Sequence, residues 1–242
     1  MGRIRAMQRL AKWHIWLGWL VGFPILMWLV TGLVMVMKPI EEVRGTTLLN
    51  EAVETPLAAD TNIAVDLAAA RKPILSVTTR MERNQAVTQV IYLDGTSERF
   101  RADGSALAPM SEIEARMIVA ERVQGGEKVV SSTRFDANEV PFDFRQPKSV
   151  WQVALIDGTH VYVGTDSGAI EAVRTRWWRV FDFMWGLHIM DLQTREDTSH
   201  PVLILFAAMS MIGALLGCIL MFRRRKARVN GNRNGKAANV AL

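Results

Sequence analysis

The sequence predicts an α+β membrane protein: two transmembrane helices flanking an exported antiparallel-sheet domain, duplicated, with helices on one face. Three observations carry this. Two long uncharged apolar runs, Ile15–Met37 and Pro201–Phe222, lie towards the ends of the 242-residue chain. Basic residues crowd outside both runs and acids lie between them. Within the intervening segment an eight-residue motif recurs at an offset of 63.

The first run, residues 15–37, holds 23 residues without a charge. As a helix it rises about 34 Å, enough to cross a bilayer core. A signal peptide has a shorter apolar region and a small-x-small cleavage site. Here Lys38-Pro39-Ile40-Glu41-Glu42 follows instead, so an uncleaved anchor is expected. Pro24 removes one backbone hydrogen bond and predicts a kink. Trp13 and Trp16 suit headgroup depth.

The second run, residues 201–222, begins with Pro201, which fits a first helical turn, and stops at Arg223-Arg224-Arg225-Lys226. Of 29 basic residues, four lie in the first twelve positions and seven follow Phe222. Eighteen remain between, against all 24 acids. Basic flanks stay on the cytoplasmic side. Residues 1–14 and the basic tail 223–242 are therefore expected inside, with 38–200 outside, the periplasm in a bacterial inner membrane. The tail after Lys226 reads as flexible, with charge suited to anionic lipid. Gly18 and Gly22, and Gly213 and Gly217, form small-xxx-small pairs that pack the spans together or build a dimer. Cys218 reads as a buried small apolar residue, with palmitoylation as the alternative.

The exported segment is long enough for a core of its own. Residues 89–96 read QVIYLDGT and residues 152–159 read QVALIDGT. Apolar runs around Asp-Gly predict hairpins over 86–107 and 149–170, because both turn residues tolerate positive φ. Ser111-Glu112-Ile113-Glu114 has capping-box spacing and opens a helix that Gly125-Gly126 ends. Val129–Phe135 then alternates as a strand. The earlier copy predicts a helix over 63–70 and a strand over 74–79. Residues 136–149 read as a folded surface loop, with a partner-binding loop as the alternative. Residues 38–176 make up this domain. Residues 177–200 form a Trp-rich amphipathic segment expected along the membrane surface or docking the domain onto the spans.

Half of the residues are hydrophobic and 22% are charged, which excludes a disordered chain and a multi-span transporter. One cysteine excludes a disulfide framework and a Cys-cluster zinc site. No nucleophile elbow, P-loop, dinucleotide fingerprint or HExxH occurs, and no catalytic residue is assigned. The basic ends flank apolar spans, so they point to the lipid bilayer and not to nucleic acid.

The segment Trp13-His14-Ile15-Trp16-Leu17-Gly18-Trp19, with Leu29-Val30-Thr31-Gly32-Leu33 after it, resembles the first span of PepSY-associated transmembrane proteins. That span has an HxWLG-like start and a TG-containing end. Gly186-Leu187-His188-Ile189-Met190-Asp191, followed by a span ending in Arg-rich sequence, is similar to a later block of the family. Tyr162-Val163-Gly164-Thr165-Asp166-Ser167-Gly168 resembles the closing hairpin of a PepSY domain, with Ser167 where a Thr is usual. The resemblance covers most of the chain and implies a PepSY-like fold for the exported domain. Larger members have four or more spans, and some resemble b-haem siderophore or ferric reductases. Two spans do not imply a complete electron path within one subunit. The PepSY module is also associated with protease inhibition and with protein or peptide binding.

The chain has four histidines. Two neutral imidazoles on opposite faces of a macrocycle are the usual ligation of haem b. His14, His188 and His200 are the cofactor-binding candidates, with His14 and His188 as iron ligands. His14 and His200 fall at opposite membrane faces, so one iron cannot take both from one chain. His14 then needs a ligand from another chain, and His188 pairs with His200 or with a symmetry mate. A polar tip at the bilayer interface is the competing account of each. His160 reads as a surface strand residue.

Two functions follow. One is a haem-binding subunit assisting periplasmic iron or siderophore reduction. The other is a non-enzymatic anchored module that binds or regulates a protein or peptide, or serves as an accessory subunit. A homodimer or a larger membrane complex is expected in either case.

Overall fold

The computed structural model describes residues 2–51, 55–59 and 61–238. The chain divides into two compact units, Met1–Met37 with Phe181–Leu242, and Lys38–Val180.

The first unit is a helix pair. Helix α1 spans Gly2–Met35 and helix α5 spans Pro201–Ala238. Their stretches Arg5–Met35 and Pro201–Phe222 are long and apolar enough to cross a membrane. α1 begins well before the expected 15 and ends two residues before 37. It runs unbroken through Pro24. The pair is antiparallel: a Cβ built on Gly213 lies 4.0 Å from Leu17 Cβ, and one on Gly217 lies 3.0 Å from His14 Cε1. The second glycine pair thus sits in the seam between the helices. Gly18 and Gly22 have nothing within 4 Å of a built Cβ. Cys218, expected buried, is exposed. Residues 227–238, expected as a flexible tail, continue α5 as helix.

In the second unit, the short helix α2, Ile40–Val43, precedes a three-stranded sheet. Its strands are β1 Ile74–Glu82, β2 Gln85–Tyr92 and β3 Ser97–Arg101, antiparallel in that order. Helix α3, Glu112–Arg122, then leads into a four-stranded antiparallel sheet. Its strands are β4 Val129–Phe135, β5 Val150–Leu155, β6 His160–Gly164 and β7 Ile170–Arg174.

The two Asp-Gly turns match bond for bond. Gly95 and Gly158 have φ of 80° and 81°. Thr96 N donates to Asp94 Oδ1 at 3.0 Å, and Thr159 N to Asp157 Oδ1 at 2.8 Å. Gly95 N donates to Tyr92 O, as Gly158 N does to Leu155 O. Of each pair only the glycine takes a positive φ, as in a three-residue hairpin loop with a left-handed last residue. The capping box of α3 is present in both directions, with Glu114 N donating to Ser111 Oγ and Ser111 N donating to Glu114 Oε2. Gly126 follows the helix so closely that a side chain there would collide with the Val119 carbonyl.

The expected helix over 63–70 is not formed. Ala64 N donates to Ala102 O, which commits that backbone to the end of β3. Only a 3₁₀ turn, Leu67–Ala69, remains, capped by the Asp66 carboxylate. The second sheet holds the main core. Ala115, Val119 and Val123 from α3 and the residue after it pack on Val153, Leu155, Val161, Val163 and Val173. The other face of that sheet is covered by the 136–149 loop, whose Phe144 is buried and stacks on Tyr162 at 4.7 Å.

Helix α4, Arg176–His188, crosses the division between the units. The Trp-rich segment is helical only that far, and residues 189–200 form a structured loop.

Candidate functional site

Three of the four histidines, His14, His188 and His200, belong to the two-helix unit, and His14 lies apart from the other two along the helix pair. His14 faces α5 just before the uncharged run of α1 begins. Its Nδ1 lies 3.1 Å from the Gly213 carbonyl oxygen. A carbonyl only accepts, so Nδ1 carries a proton, and in the neutral ring Nε2 then carries the lone pair. Gly217, with no side chain, leaves room for the ring.

His188 is the last residue of α4. Its Nδ1 lies 2.9 Å from Thr31 Oγ1 on α1, and its ring packs against Gly32. Its backbone carbonyl accepts from Trp28 Nε1 at 2.8 Å. One α1 side chain therefore satisfies a carbonyl at the end of α4, a group that a helix leaves without an internal partner. His14 and Thr31 are seventeen positions apart on α1. At 1.5 Å per residue that is about 25 Å, so His14 and His188 serve two distinct positions within one chain.

His200 directly precedes α5. Gly213 lies opposite Leu17 in the antiparallel pair, which puts the start of α5 level with the Thr31 end of α1. His200 Nδ1 is buried and has no hydrogen-bond partner among the described residues. An orphaned imidazole nitrogen at the His188 end fits a ligand lone pair. Among the described residues, no group of three or more His, Cys, Asp and Glu is placed to hold a metal ion.

The loop after His188 is fixed by two carboxylates that sequence reasoning did not assign. The Asp191 carboxylate accepts from the backbone N–H of Gln193, Thr194, Glu196 and Asp197 and from the Thr194 hydroxyl. The Thr194 hydroxyl first, then the backbone N–H groups, hold its pKa well below the ordinary carboxylate range. This nest stabilises a loop in which Met190 and Arg195 take positive φ of 58° and 57°. Arg195 Nη1 donates to Asp182 Oδ2 at 2.5 Å, and Trp185 Nε1 donates to the Arg195 carbonyl. The sequence signal was two acids and an Arg beside an apolar helical face. Thr31 was visible as part of the TG-containing end of the first span, but not as a partner of His188.

His160 lies in the other unit and is no bare surface residue. Its Nδ1 is 3.2 Å from Asp143 Oδ2. Tyr162, fully buried, donates to Asp143 Oδ1 at 2.5 Å and accepts from Gln152 Nε2 at 2.6 Å. Burial opposes ionisation of Asp143, but hydrogen bonds from His160 and Tyr162 hold its pKa below the usual value. Burial and the Asp143 hydrogen bond push the Tyr162 pKa up. The network ties the 136–149 loop to the sheet.

The model of the family described as the PepSY-associated TM region matches residues 11–241. No curated protein and no solved structure matches the chain.

Proposed function

The chain belongs to the family of the PepSY-associated TM region, and from that premise we propose that this membrane protein is a haem-binding redox subunit. In this reading it sits in a bacterial inner membrane with both termini cytoplasmic and assists reduction of iron or a siderophore at the periplasmic face. The observation that carries the reading is His14: its Nδ1–H is held by the Gly213 carbonyl, which leaves Nε2 as a lone-pair donor. Histidines that bind metals are commonly oriented through their other ring nitrogen in this way.

Haem, when bound, supplies one-electron chemistry. His14 would hold it near the basic N-terminus, with the second imidazole from another copy of the chain. His188 would hold it at the other end, with His200 or a second copy opposite. The Asp191 nest and the Asp182–Arg195 pair brace the loop between His188 and His200. The test is the absorbance spectrum of the full chain purified in mild detergent from haem-sufficient cells. A b-type difference signal on reduction is expected. A colourless, folded protein refutes the reading.

One observation favours the second reading, an anchored partner-binding module. Strand β1 is a nine-residue outer strand of its sheet, and its Leu75 and Val77 are 62% and 41% exposed. Such an edge suits strand addition by an extended peptide.

A further inference from the structure

We infer that Thr31 is a positioning residue that holds His188 in its Nδ1-protonated form, so that Nε2 carries the lone pair. A hydroxyl partner leaves the tautomer open, because a hydroxyl both donates and accepts. The surroundings of Thr31 close that choice. Its Oγ1 lies 2.8 Å from the Met27 carbonyl and 3.2 Å from the Trp28 carbonyl. Both are pure acceptors, and the hydroxyl has one proton. A threonine within a helix donates that proton to the carbonyl one turn earlier. Thr31 is 2% exposed, so water does not offer another acceptor. The remaining lone pair of Oγ1 faces His188 Nδ1 at 2.9 Å and accepts its N–H.

The rest of the seat is built around that bond. Trp28 Nε1 fixes the His188 carbonyl, three residues before Thr31 on the same helix. Gly32 presents no Cβ to the ring; one built there would lie 3.5 Å from His188 Cε1. Elsewhere along the pair, the Gly213 carbonyl imposes the same protonation on His14. Two unrelated acceptors, a hydroxyl and a backbone carbonyl, thus select the same nitrogen at two separate positions along the helix pair. The inference deepens the haem reading by naming the nitrogen that His188 offers. It rests on that reading only in the second experiment below.

The first experiment uses the full chain, prepared without haem, with ¹⁵N-labelled histidine in detergent at about pH 8, above the ordinary imidazole range. Two-bond ¹H–¹⁵N correlations report which ring nitrogen is protonated, and His188→Gln assigns the signals. Wild type should show His188 protonated at Nδ1. Thr31→Ser should keep that form, and Thr31→Val should lose it. A wild-type His188 protonated at Nε2 overturns the inference whether or not any variant folds. So does a Thr31→Val chain with an unchanged Nδ1-protonated ring. The second experiment measures the midpoint potential of the haem-loaded chain. An imidazole whose N–H is hydrogen-bonded is more basic and favours the oxidised iron. Thr31→Val should raise the potential and Thr31→Ser should not; equal potentials for all three count against the inference. A colourless wild type sinks the redox reading alone, and the tautomer then decides the inference by itself.

Discussion

The imidazole of His14 donates Nδ1–H to the carbonyl of Gly213, 199 residues later in the chain, across the seam between α1 and α5. Gly217, one turn further along α5, meets the same ring. The two glycines let one polar side chain enter an apolar helix interface.

That seam predicts a cross-link. A Cβ on Gly213 lies 4.0 Å from Leu17 Cβ, within the range that a disulfide spans. With Cys218 replaced by Ser, the pair Leu17→Cys and Gly213→Cys should form an intramolecular disulfide on mild oxidation. Gly18→Cys with Gly213→Cys should not. Electrophoretic mobility with and without reductant reads the result, and no mobility change for the first pair contradicts the helix register.

The buried network in the sheet domain predicts an acid-sensitive loop. Asp143→Asn removes a charged acceptor from His160 and Tyr162. It should cost about 1.5–3 kcal/mol, the usual range for hydrogen bonds to a charged group. The folded pKa of Asp143 is lowered. Its contribution is therefore complete above the unfolded carboxylate value near about 4 and is lost as pH falls through the lower folded value. Thermal melts of wild type and Asp143→Asn should differ at neutral pH and converge in acid. A constant difference across that range contradicts this account.

Several elements were legible because their signals are local. The spans show as uncharged runs, α3 as Ser-x-x-Glu before an apolar stretch, and the two hairpin turns as Asp-Gly-Thr. The helix expected over 63–70 failed because a distant partner, Ala102, takes the Ala64 amide. The supports of the histidines were not legible for the same reason. Thr31 and His188 are 157 residues apart, and Trp28 reaches the same residue from one turn away. His160 looked like an ordinary strand residue because its partner, Asp143, lies in a loop with no periodic pattern.

The charge distribution predicts orientation. In a chain with Cys218 replaced by Ser, Glu127→Cys should react with a membrane-impermeant thiol reagent from the periplasmic side. Glu127 is well exposed, with a side chain 63% accessible. Arg225→Cys should react only once the inner membrane is opened. The reverse pattern contradicts the positive-inside orientation.

Haem ligation by His14 and His188 is read in the reduced-minus-oxidised spectrum of histidine variants of the full chain. Wild type should show a b-type signal. His14→Ala and His188→Ala should each reduce it, because alanine has no nitrogen to offer iron. His160→Ala, in the other unit, should leave it unchanged. A folded wild type without any b-type signal, or a signal that survives both His14→Ala and His188→Ala, would contradict the account.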